Sequence, residues 1–145
     1  MNIEQSAQQA VNAAAVAESH IAHLVKTLNL ESVGEKLGVK MLKADKTSIQ
    51  ITVLGQPYVL QSRLFRIAEG EYETKLALVR ERKCQPDEEC HRIFIDYLGN
   101  IALDSRQSSR MYTLRDNDHI RWLCRTWVLC EADRQDNDFS SKEDA

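Results

Sequence analysis

The sequence predicts an α+β domain: a long N-terminal amphipathic helix, an antiparallel meander of four to five strands, and a C-terminal helix packed on the sheet. Three observations predict it. Apolar residues recur at heptad spacing from Ile3 to Leu28, the period shortens to two from Thr47 to Asp104, and a helical period returns after Asp116. With 145 residues and 43% hydrophobic content, one core can form without disulfides or a structural metal.

Ile3, Ala7, Ala10, Ala14, Ala17, Ile21, Leu24 and Leu28 are separated by alternating steps of four and three, an unbroken stripe that Val11 and Val25 widen. A helix over this stretch is roughly 39 Å long at about 1.5 Å per residue. Its alanines bury little area each, so the first half needs a covering surface. That surface is either the domain's own sheet or the same helix of a second chain, meeting through Ala7, Ala10, Ala14, Ala17 and Ile21. Asn29 suits a left-handed terminus. "ESVGEKLGVKML" then reads as a short connective helix interrupted by Gly34 and Gly38.

In "TSIQITVLG", Ile49, Ile51 and Val53 alternate with Ser48, Gln50 and Thr52, the pattern of a half-buried strand. "YVLQSRLFRI" sets Tyr58, Leu60 and Leu64 against Val59, Gln61 and Arg63. "YETKLALVRERK" and "HRIFIDYL" supply the next two strands and "IALD" a short fifth. Connections this short join antiparallel neighbours. Residues 105–115 read as a loop with a brief strand at Met111–Leu114. Asp116 or Asp118 can cap a helix running to about Ala132. Its Ile120, Leu123, Cys124, Trp127 and Val128 make one sheet-facing stripe, and Trp122 and Leu129 fall off it. Residues 1–132 form the domain; residues 133–145 read as an acidic disordered tail.

The formal net charge of −3 argues against a protein that works by gripping phosphate backbones. Locally, residues 105–130 carry +3 and residues 131–145 carry −4. Arg106, Arg110, Tyr112, Arg115, Arg121, Trp122, Arg125 and Leu129 lie in or beside this basic segment. Arg, Tyr and Trp are the usual hot-spot residues of protein interfaces, so these eight are the candidate partner-binding set. The same types hold phosphates and stack on bases, which keeps nucleic-acid binding through residues 105–125 as an alternative.

"RKCQPDEECHRIF" sets Cys84 and Cys90 roughly opposite each other at a hairpin tip, as free thiols or as a redox pair. Five intervening residues exceed the usual zinc-knuckle spacing, and Cys124 and Cys130 point apart on a helix, so no metal or other cofactor is expected. No glycine-rich phosphate loop and no nucleophile motif is present. The expectation is a non-enzyme, with a small enzyme of unfamiliar site as a further alternative. The opening residues lack the basic start and apolar run of an export signal, and no stretch reaches the roughly 20 apolar residues of a membrane span. A cytoplasmic protein with reduced thiols is expected.

An amphipathic first helix, a five-stranded sheet and a closing helix in a small acidic chain resemble the layout of bacterial type III secretion chaperones, and of small immunity and phage-encoded inhibitor proteins. The chain departs from the chaperone layout where only "CQPDEEC" stands between the third and fourth strands. The off-stripe patch of Trp122 and Leu129 together with the heptad helix leads us to expect a homodimer; the resemblance implies a module that covers a partner protein's surface, as an inhibitor, immunity protein, adaptor or secretion chaperone.

Overall fold

The computed structural model describes residues 2–103 and 112–143, with side chains to residue 137. Helix α1 (Ile3–Leu28) leads through a one-turn 3-10 helix (Glu35–Leu37) into seven strands: β1 (Val39–Ala44), β2 (Ser48–Val53), β3 (Gln56–Ala68), β4 (Glu71–Arg80), β5 (Glu88–Ile95), β6 (Asn100–Ala102) and β7 (Tyr112–Thr113). Helix α2 (Asn117–Glu143) follows. All seven strands form one curled antiparallel sheet in sequence order. The α+β class and the meander are as expected, but the sheet has seven strands rather than four or five.

The additional first strand corrects the reading of "ESVGEKLGVKML". Gly34, at the start of the 3-10 turn, must stay bare because a Cβ there would collide with the Leu28 carbonyl oxygen, and the left-handed Gly38 ends the turn after Leu37. Gly38, at φ +87, then reverses the chain so that Val39 pairs with Val53. Residues 39–44 lack strict alternation because of a bulge between Met41 and Lys43, which also bends this exposed edge away from further pairing. The brief strand expected near Met111–Leu114 is β7, paired to β6 through Ile101 and Tyr112.

The core-facing side of the sheet carries Ile49, Ile51, Val53, Tyr58, Leu60, Leu76, Leu78, Ile93, Ile95 and Ile101, each at most 3% exposed. Ile120, Leu123, Cys124 and Trp127 of α2 seal it, with Ile21, Leu24 and Leu28 from the C-terminal half of α1. Asp116 caps α2 by accepting from the Asp118 amide. The helix continues past the expected end at Ala132, as far as Glu143. Among the described residues no helix is long and apolar enough to cross a membrane.

Candidate functional site

The predicted partner-binding residues separate into three groups. Arg106 and Arg110 lie outside the described residues. Tyr112 and Trp122 stack face to face, ring centroids 4.0 Å apart at 6°, with His119 edge-on to Tyr112. The Thr113 amide donates to His119 Nδ1 at 2.9 Å, which ties β7 to the first turn of α2 and holds the stack. Arg115, Arg125 and Leu129 are exposed, Leu129 at 63%, whereas Arg121 is tied to Asp118 at 2.5 Å. Trp122, Arg125 and Leu129 share one helical face by their i, i+3, i+7 spacing.

The cysteines are free. Cys84 and Cys90 do not face each other, because β4 already ends at Arg80 and β5 begins at Glu88, joined by an Arg80–Glu88 ion pair of 2.7 Å. Cys84 sits in the connection at φ +58. Cys90 instead lies at the bulge opposite Leu78 and Val79, against the core. Among the described residues no three His, Cys, Asp or Glu side chains come together as metal ligands.

On α1 the two halves behave differently. Ile21, of the expected dimer seam, is buried in the domain's own core, while Ala10, Ala14 and Ala17 are half-buried and Ala7 is exposed. The N-terminal half stays helical through a capping box: Asn2 Oδ1 accepts from the Gln5 amide while the Gln5 side chain accepts from the Asn2 amide. Ile3 (86%) and Val11 (61%) face solvent.

Between this half of α1 and the far ends of β3, β4 and β5 lies an open cleft of about 700 Å³, within the range of ligand sites. Its helix wall is Ala13, Val16 and Ala17 with Gln9 and Asn12; its sheet wall is Leu64, Ile67, Tyr72, Thr74 and Ile95 with the acidic Glu71, Glu73 and Asp96. Contacts at either end span it. The Gln9 amide rests against the β3–β4 turn, where a Cβ on Gly70 would lie 3.0 Å from Gln9 Oε1. His20 Nε2 donates to the Tyr97 carbonyl at 3.0 Å, its ring against Gly99 of the β5–β6 turn. Small residues at positions 13 and 17 fill none of the space between, so the sheet does not close on the alanine-rich half. The sequence signal for the cleft was present but ambiguous, since alanines equally allow close approach.

Glu131, 0% exposed, fixes the opposite end of the domain. Its Oε1 accepts from the Tyr58 hydroxyl at 2.9 Å and from Arg134 Nε and Nη2 at 3.0 and 2.9 Å. Its Oε2 lies 2.7 Å from Nη2 as an ion contact without hydrogen-bond alignment. Burial, and then the Glu131 carboxylate, push the Tyr58 phenol well above its ordinary value, so Tyr58 remains the donor. These bonds clamp α2 to β3.

Compared with known proteins, the chain matches no family model, no curated protein and no solved structure.

Proposed function

We propose that the protein is a non-catalytic protein-binding module, of the inhibitor, immunity, adaptor or secretion-chaperone kind, which takes part of its partner into the cleft beneath α1. The supporting observation is the cleft itself: an open space lined by apolar side chains, the Gln9 and Asn12 amides and the carboxylates of Glu71, Glu73 and Asp96, between a helix and a sheet that touch at its two ends. Arg125 and Leu129, exposed on α2 away from the cleft, would form a separate contact with a large partner. The cytoplasm, with thiols reduced, is the setting we assign.

The test is affinity capture from the native source with the natural chain and with Ala13→Leu/Ala17→Leu, which fills the cleft. A partner retained by the first and lost from the second supports the reading. Partners captured equally by both, or none, refute it.

A homodimer accompanies this reading. Residues 5–17 contain no charged side chain, in a chain that is 28% charged, and the solvent-facing side of this stretch presents Val11 and Ala7 beside Ile3. Interface cores are depleted of charge in the same way. Light scattering should give twice 16.6 kDa at tens of micromolar, and Ala10→Glu should halve it. A monomer at that concentration would remove the dimer.

A further inference from the structure

Resting on the protein-binding reading, we infer that the cleft holds its partner as a short extended peptide segment, rich in apolar side chains and free of acidic ones. The cleft's dimensions, its amides and its charge each select this occupant.

The two contacts bounding the cleft come from Gln9 and His20, eleven residues apart on α1. At about 1.5 Å per residue that is a span of roughly 16 Å, which fits about five residues of extended chain at about 3.3 Å each. The apolar walls, Val16 and Ala17 against Leu64 and Ile95, suit the side chains of such a segment.

Hydrogen bonding selects a peptide over a hydrocarbon. Gln9 and Asn12 both line the cleft, and an amide side chain offers a donor and an acceptor, the pair that a peptide backbone presents in return. The Asn12 Oδ1 already accepts from Gln8 Nε2 at 2.9 Å, which leaves its NH2 group to donate. Gln9, at the edge of the β3–β4 turn, supplies the second point of a clamp. A purely aliphatic ligand would strip water from both amides and return nothing.

Charge selects against acidic segments. Three carboxylates, Glu71, Glu73 and Asp96, are among the described lining residues, and Glu71 stands at the same end as Gly70. A carboxylate entering the cleft would meet like charge at Glu71, whereas a Lys at the segment's edge is compatible with it.

The experiment is fluorescence anisotropy on the full chain with an array of labelled nonapeptides in which apolar content and charge vary independently. A labelled peptide of residues 3–20 is added as a mimic of a second copy's α1. Apolar neutral or Lys-bearing peptides are expected to bind. Their Lys→Glu versions should bind at least tenfold more weakly. Gln9→Ala should weaken binding about fivefold, as expected for one neutral hydrogen bond. Ala13→Leu/Ala17→Leu, with circular dichroism and unfolding temperature preserved, should abolish it.

Equal binding to the filled variant, equal binding of acidic peptides, or preferential binding of the 3–20 peptide that the filled variant loses, each overturns the inference. If no array peptide binds while capture still finds a cleft-dependent partner, the extended-peptide inference fails and the binding-module reading stands. If capture also finds none, both fail.

Discussion

Replacing Arg134 by Met should be among the most damaging single changes to this domain, although Arg134 lies on its last helix and its side chain is 18% exposed. Glu131 is fully enclosed, and its carboxylate meets the Arg134 guanidinium and the Tyr58 hydroxyl. Removing one partner of a buried ion pair costs about 3–5 kcal/mol, since the remaining charge is left in a poorly solvating interior. Water entering along the exposed part of the arginine's site offsets some of this, so about 3 kcal/mol is expected. For a chain of this size that corresponds to a fall in Tm of roughly 10 °C. Tyr58→Phe, which removes one hydrogen bond to a charged acceptor, should cost about 1.5–2 kcal/mol. Glu131→Gln/Arg134→Met removes both charges and should recover most of the loss, because a neutral buried pair carries no ionic desolvation cost. Urea unfolding at pH 7 followed by circular dichroism measures all three variants. An Arg134→Met loss below about 0.5 kcal/mol, or a double variant no better than the single one, would refute the ion-pair argument.

Other outcomes follow from the cysteines, His91 and Tyr112. In the native protein Cys84 should react with a thiol reagent at once, Cys90 and Cys130 slowly, and Cys124 only on unfolding; simultaneous reaction of all four would contradict the observed burial. Burial pushes the Cys124 thiol up to about 12, so the unfolded chain ionises first as pH rises past about 9. Stability should then fall by about 1.4 kcal/mol per pH unit between those values, and Cys124→Ala should flatten the slope in an alkaline unfolding series. Tyr58, Cys90 and Cys130 are raised as well and add to the same alkaline loss. Burial lowers the His91 value, so its contribution is complete above the ordinary imidazole value of about 6.5 and is lost as pH falls below it; His91→Gln should make the acid limb shallower. Tyr112→Ala should expose Trp122 and shift its emission to the red, with a loss of about 0.5–1.5 kcal/mol beyond the area term.

Alternation and heptad spacing carried β2 to β6 and both helices in the sequence, because each element's buried face repeats at its own period: Ile49, Ile51, Val53 at two, and Ile120, Leu123, Cys124, Trp127 at three and four. β1 was not legible. Its bulge breaks the alternation, and its start depends on Gly34 fitting against the Leu28 carbonyl, a contact between parts of the chain whose approach no local pattern encodes. The arginines read from the sequence as a candidate partner-binding set were legible as residue types only, since Arg121 spends its charge on Asp118.

By itself, then, the sequence determined the α+β class, the meander and the faces turned inward, because periodic burial is a local property. Tertiary structure alone decided that Ile21 belongs to the core, that Glu131 is enclosed between Tyr58 and Arg134, and that Gln9 and His20 span a cleft. Each of those depends on how far a helix stands from a sheet. Side chains distant in sequence set that separation, and a run of alanines is compatible with either a closed interface or an open one.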